Sequence, residues 1–267
     1  MTYLDEIIAY HRARAETDER DLDTLRARAV ASISVDSTET RRRGFVDALC
    51  RRSTLAVIAE VKRRSPSKGD IDSVLDPRQL AAEYAQGGAS CVSVLTDEPH
   101  FGGSTADLLA VRSAIDLPVL RKDFTVSVRD VYDARIMGAD AVLLIVAALS
   151  DGELATLHAT AQDMFLDVLV EVHDENEVHR ALAVGATLIG VNQRDLHTFA
   201  VDGNRAVRVG QAIPSGVVAV AESGITGSED ARRCADAGFR AVLVGEYLVR
   251  STDRIKALAD LQVVLPS

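Results

Sequence analysis

From residue 55 onward, short apolar runs rich in Val, Ile and Leu alternate with longer stretches whose apolar residues return every three or four positions. The first pattern predicts buried strands and the second amphipathic helices. Strands are predicted over 55–61 (LAVIAEV), 90–95 (SCVSVL), 117–121 (LPVLR), 139–145 (ADAVLLI), 166–172 (LDVLVEV), 187–192 (TLIGVN), 217–221 (VVAVA) and 240–244 (RAVLV). Helices are predicted between them, for example over 76–86, 127–137 and 228–237, often opening on Asp, Ser or Thr and closing before Gly. Strands alternating with helices form parallel βαβ units with right-handed crossovers. Eight units in about 210 residues imply an α/β protein built as a single closed (β/α)8 TIM barrel. An open doubly wound sheet is the alternative, but no G-x-G-x-x-G follows the first strand.

A weak repeat supports closure. Gly88, Gly138, Gly185 and Gly238 each precede a short turn into the second, fourth, sixth or eighth strand. A glycine there is expected to end the preceding helix in a left-handed conformation. Residues 1–54 fall outside the βα pattern and read as an N-terminal helical extension packed on one end of the barrel, with residues 55–267 forming the barrel itself. The stretch 65–69 (SPSKG) reads as a rigid polar loop.

Alternation also says which side chains face inward. The first strand sends Ile58, Glu60 and Lys62 one way, the third Leu120, Lys122 and Phe124, the fifth Leu169 and Glu171, the sixth Asn192 and Arg194, and the seventh Val220 and Glu222. Polar groups inside a barrel are costly unless paired or used. Here they gather at the C-terminal strand ends, where barrel enzymes carry their chemistry. Any one of them is as readily a structural ion pair; the joint pattern across five strands favours a site. Adjacent ammonium and carboxylate groups suit acid–base work, because each shifts the other's proton affinity. Ser223 and Gly224 after the seventh strand, and Gly245 and Glu246 after the eighth, suit an anion such as phosphate, although Gly after a strand is also common in plain turns.

Composition narrows the picture. The net charge of −10 argues against nucleic acid or an anionic membrane as a partner. The N-terminal residues are too charged for a signal peptide, and no apolar run approaches the roughly 18 residues of a membrane span. Cys50, Cys91 and Cys234 form no C-x-x-C pair, which fits a reducing compartment, and the expected setting is the cytoplasm. The only lysines are Lys62, Lys68, Lys122 and Lys256 in a chain otherwise rich in Arg. Lysine offers an amine whose proton affinity can be tuned, which guanidinium does not. Lys68 and Lys256 read as residual. The six histidines show no H-x-x-x-H or H-E-x-x-H spacing, so no metal is expected, and His173 reads as a loop hydrogen bonder.

The motif IAEVKRRSPSKGDI at 58–71 resembles the signature of the indole-3-glycerol phosphate synthase family. VSVLTDEPHFGGS, LPVLRKDF, GADAVLLI, VEVHDENE, IGVNQRDLHTF, AESGI and VLVGEYLVR continue the resemblance in order across roughly 45–250. It implies a barrel without cofactor or metal that cyclises 1-(2-carboxyphenylamino)-1-deoxyribulose 5-phosphate, with loss of CO2 and water, by general acid–base catalysis. By resemblance, Lys122 is the acid that polarises the sugar ketone. Lys62, paired with Glu60, contacts the anionic substrate and assists dehydration, and Glu171 handles the proton. Asn192 and Glu60 hold sugar hydroxyls, while Arg194, Ser223 and Glu222 complete the polar wall. Ser65, Gly224, Gly245 and Glu246 lie near carboxylate or phosphate, and Phe101, Phe124, Pro66 and Leu143 form the slot for the aromatic ring. The family also implies transient contact with other enzymes of tryptophan biosynthesis. His100, where another aromatic is usual, and Gln193, where Asn or Ala is common, are mild departures that remove no catalytic group. Two other readings remain at this point: a phosphosugar barrel lyase using Lys122 as a Schiff base, and a non-catalytic anion-binding protein using Arg63, Arg64 and Lys68.

Overall fold

The strands predicted from the apolar runs close on themselves. A computed structural model describes residues 2–34, 42–65, 69–195 and 200–266. The barrel strands are β1 (Ala56–Val61), β2 (Cys91–Leu95), β3 (Val119–Lys122), β4 (Ala141–Ile145), β5 (Asp167–Val172), β6 (Leu188–Asn192), β7 (Val218–Glu222) and β8 (Ala241–Val244). All pair in parallel, each with its sequence neighbour, and β8 returns to β1. Each lies within two residues of its predicted range, because a strand buried on both faces leaves a continuous apolar signature. Solved (β/α)8 proteins carry this architecture with helices outside and chemistry above the strand ends.

Two cores follow from the alternation. Outward residues such as Val57, Val92, Val142 and Val170 pack under the helices. Inward residues such as Ile58, Leu120, Leu143, Leu169 and Val220 fill the barrel. Four turns into even-numbered strands carry Gly88 (φ 82°), Gly138 (φ 79°), Gly185 (φ 79°) and Gly238 (φ 89°) in the left-handed conformation. After each, the next amide donates back to the helix, as from Ala89 to Tyr84 and from Phe239 to Cys234, which satisfies carbonyls the helix end would orphan. The turn into β5 uses the same bond, Leu166 to Ala161, but Phe165 occupies the left-handed position with φ 56°.

The N-terminal segment reaches both ends of the barrel instead of one. Helix α1 (Tyr3–Glu16) touches loops above the strands: His11 meets Asp97 at 3.0 Å, and Arg12 meets Glu153 at 2.5 Å. Helix α2 (Leu22–Ser34) packs on the outer helix Val128–Ile136. Helix α3 (Phe45–Cys50) closes the opposite end, with Phe45 and Leu49 fully buried against Ile58, Cys91 and Leu188. Burying two such side chains contributes about 1.5–3 kcal/mol each. Gly44 offers α3 no side-chain cap. Asp167, the first residue of β5, caps it across the fold, its Oδ2 accepting from the amides of Phe45 at 2.8 Å and Val46 at 3.1 Å.

The stretch after β1 differs from the expected plain loop. Arg64–Ser65 and Gly69–Asp70 pair as a two-residue antiparallel ribbon, and the amides of Ile71 and Asp72 donate to Arg63 O. Pro66, Ser67 and Lys68 lie outside the described residues. Among the described residues, no helix is long and apolar enough to cross a membrane.

Candidate active site

The register fixes which polar residues meet above the barrel core. Glu171 lies beside Gly190, and Asn192 beside Glu222. Lys122 ends β3, and its Nζ reaches Glu171 Oε2 at 3.2 Å and Glu222 Oε2 at 3.5 Å. Asn192 Nδ2 donates to Glu171 Oε1 at 3.0 Å, and Asn192 Oδ1 accepts from the amide of Arg194 at 3.0 Å. At the end of β1, Lys62 Nζ stands 2.5 Å from Glu60 Oε1. The inward polar residues of five strands thus meet at one end of the barrel, where Lys122, Glu171, Glu222 and Asn192 contact one another and Glu60 pairs with Lys62.

These contacts divide the charges. Burial works against the Lys122 ammonium, but Glu171, Glu222 and Glu60 more than offset it and raise its proton affinity above the usual lysine range. Burial also opposes ionisation of Glu171, yet Lys122, His173 and the Asn192 hydrogen bond hold its pKa below the ordinary value. Glu222 goes the other way. Burial, with Glu171 and Glu60 nearby, pushes it up to about 8 despite Lys122. Its Oε1 is buried with no hydrogen-bond partner among the described residues. The site thus sets a cationic lysine and a Glu171 that loses its proton readily beside a Glu222 that keeps its own more firmly, a base and an acid separated by environment.

A cavity of about 910 Å3 opens over these groups. Its lining includes Ser65, Phe101, Phe124, Leu143 and Arg194 as well as Ser223, Gly224, Gly245 and Glu246, so every candidate residue from the sequence faces one space except Pro66, which lies outside the described residues. The rings of Phe101 and Phe124 stand 6.1 Å apart and tilted by 38°, forming an apolar side. On the far side Ser223 (φ 66°) and Gly224 (φ 74°) are both left-handed. Ser223 is a non-glycine residue held in a costly conformation, a form of strain that gathers at functional sites. Gln193 supports this turn by donating Nε2 to Ser223 O at 2.7 Å.

Several contributors were missed. Leu95, Ile145 and Leu243 also line the cavity; they lie on β2, β4 and β8, whose alternation offers no charged residue at the strand end to draw attention. Arg250 lies one helical turn beyond Glu246, 3.3 Å from it. Gly190 was legible as strand, not as site: a Cβ there would fall 2.0 Å from Glu222 Oε1. Gly245 likewise leaves space for the Glu60–Lys62 pair, since its Cβ would lie 2.5 Å from Glu60 Oε1. His11, Asp97 and His100 come together although their spacing gave no sign of it. Asp97 Oδ2 accepts from both imidazoles, at 3.0 and 2.8 Å, and the Tyr10 ring edges on both. That mutual satisfaction makes the trio a clasp between α1 and the short helix Glu98–Phe101 that Asp97 caps.

Fold and site together define a (β/α)8-barrel enzyme with an acid–base centre above its strand ends. The sequence profile described as indole-3-glycerol phosphate synthase matches residues 4–261, and the chain belongs to that family. Proteins named indole-3-glycerol phosphate synthase include one from Nocardioides sp., 50% identical over 254 residues that make up 95% of each chain. Another, from Beutenbergia cavernae, is 48% identical over 263 residues, 98% of this chain and 95% of its own. Among solved structures, a 3-hexulose-6-phosphate synthase superposes with a TM-score of 0.64 at 17% identity, covering 79% of this chain and 100% of that one. A thiamine phosphate pyrophosphorylase from Pyrococcus furiosus gives 0.57, also at 17% identity, over 79% and 95%. At that identity the likeness is one of fold.

Proposed function

We propose that the protein forms indole-3-glycerol phosphate from 1-(2-carboxyphenylamino)-1-deoxyribulose 5-phosphate, releasing CO2 and water. The observation that carries this reading is Lys122, an ammonium held in the cavity between Glu171 and Glu222. It donates to the sugar ketone while the ring carbon bearing the carboxylate attacks the ketone carbon. The carboxylate then leaves as CO2, and its bond electrons restore the aromatic ring. The remaining hydroxyl departs as water, protonated from the Lys62–Glu60 pair, and Glu171 takes a proton from the adjacent methylene carbon. Phe101, Phe124 and Leu143 face the aromatic ring, Asn192 and Glu60 the sugar hydroxyls, and Arg194, Ser65 and Glu222 the polar wall. The turn at Ser223–Gly224 and the backbone of Gly245 and Glu246 suit the phosphate.

Turnover is read directly from the fluorescence of the indole product. Lys122→Met should lower kcat by at least about 10²–10³-fold, as removal of a principal charge donor does; full activity in that variant would sink the mechanism. Borohydride trapping separates the Schiff-base alternative, since a covalent adduct contradicts this reading. A nucleophilic lysine needs a lowered proton affinity, whereas that of Lys122 is raised. Arg63 binds Asp107 at 2.9 Å and Leu75 O at 2.6 Å, and Arg64 reaches the carbonyl of Pro99. These engagements leave the two arginines poorly placed to form a nucleic-acid patch. The protein is accordingly read as a cytoplasmic enzyme acting on a phosphorylated small molecule, in transient contact with its pathway neighbours.

A further inference from the structure

His173 follows β5 and does not line the cavity. Its Nε2 stands 3.7 Å from Glu171 Oε1, behind the carboxylate that faces the reaction. Its Nδ1 lies 3.1 Å from Glu177 Oε2, and that same oxygen accepts the His173 amide at 2.7 Å. A nitrogen against a carboxylate must carry the proton, so Nδ1 donates to Glu177. Nε2 is buried with no hydrogen-bond partner among the described residues. A bare lone pair there would face the lone pairs of Glu171, an arrangement that repels unless a proton lies between them. The proton belongs on Nε2, which makes the ring an imidazolium facing the Glu171 carboxylate.

We propose that His173, oriented by Glu177, is a positioning residue for the reaction: its imidazolium stands behind Glu171 and keeps that carboxylate ionised and aimed at the substrate before ring closure. The charged groups that face the ring are Glu177 on its helix, Glu171 on β5 and Arg205 from the helix after β6. Burial and Arg205 disfavour the imidazolium, while Glu177 and Glu171 favour it and prevail. Glu171 in turn is lowered partly by His173. Removing the ring's charge therefore makes Glu171 harder to ionise, so a rate that needs ionised Glu171 requires a higher pH.

This inference rests on the catalytic reading above for its kinetic arm. His173→Gln keeps an amide donor near Glu171 Oε1 but cannot carry charge. Its acidic limb in kcat/KM should move about one unit toward higher pH, making it about tenfold slower on that limb with KM within twofold. Glu177→Gln, which touches neither substrate nor Glu171, should move the limb the same way by less. A limb unchanged in His173→Gln, or a loss equal at every pH, would reduce His173 to a packing role and overturn the proposal. The second arm needs no turnover. The proton NMR titration of His173 Cε1–H should shift its midpoint to lower pH in Glu171→Gln, and an unmoved midpoint would also overturn it. A protein that failed to form the indole would still answer this second test.

Discussion

A glycine illustrates how the site depends on what is missing. Gly190 points into the barrel from the middle of β6, and Glu222 from the next strand occupies the space its side chain would take. Gly190→Ala should displace the Glu222 carboxylate by about an ångström and lower kcat about 10²-fold, a loss typical of such misplacement, while circular dichroism stays native. A pH profile tests Glu222 itself. Its folded value is raised to about 8, so kcat/KM should fall as pH rises through that value, and Glu222→Gln, permanently neutral, should lose that limb. The charged members of the site were legible in the sequence because alternation assigns each a direction without knowledge of its neighbours. Gly190 and His173 were not. The role of each is set by a side chain that the register brings alongside, and spacing along one strand says nothing of the next. The scarcity of lysine was informative in the same local way. Lys62 and Lys122 line the cavity, while Lys256 pairs with Asp260 on the exposed face of the helix Arg254–Leu261.

Among elements, the turns into the strands show where local chemistry decides and where it yields. Four of them place glycine at the left-handed position, and the turn before β5 places Phe165 there, 54% exposed. The strain of a left-handed non-glycine residue costs about 1–2 kcal/mol, partly offset by the side chain's remaining contacts and by glycine's greater freedom when unfolded. Phe165→Gly should therefore stabilise the protein by about 0.5–1 kcal/mol, visible as a raised midpoint in urea unfolding with an unchanged m-value. Helix α3 is the opposite case, because its cap comes from Asp167, far along the chain. Asp167→Ala should cost about 1–2 kcal/mol, the usual price of a lost cap, measured by the same titration. The strands were readable because burial on both faces demands unbroken apolar runs. The ribbon at 64–65 and 69–70 was not, since two-residue strands carry no period.

Across the whole molecule, stability and chemistry occupy opposite ends. Below the strands, Asp140 pairs with buried Arg112, accepts the Val119 amide at 2.9 Å and accepts the Arg43 amide at 2.8 Å. Asp140→Ala takes that carboxylate from Arg112 and should cost about 3–5 kcal/mol. Thermal unfolding would register the loss, while kcat of the folded enzyme at 20 °C below the new midpoint, or about that, stays within twofold because the upper end is untouched. The fold class was legible from the count of βα units, whereas the path of the first 54 residues was not, because loops, carbonyls and an outer helix far along the chain hold them. The plug formed by Phe45 and Leu49 has a consequence for traffic. Ile58, Leu120, Leu169 and Val220 pack between that plug and the site, so the cavity opens away from it, and substrate, carbon dioxide, water and product share the doorway above the strand ends. The small products must slip past the indole or wait for it, so whatever governs that doorway also governs the order in which the reaction empties.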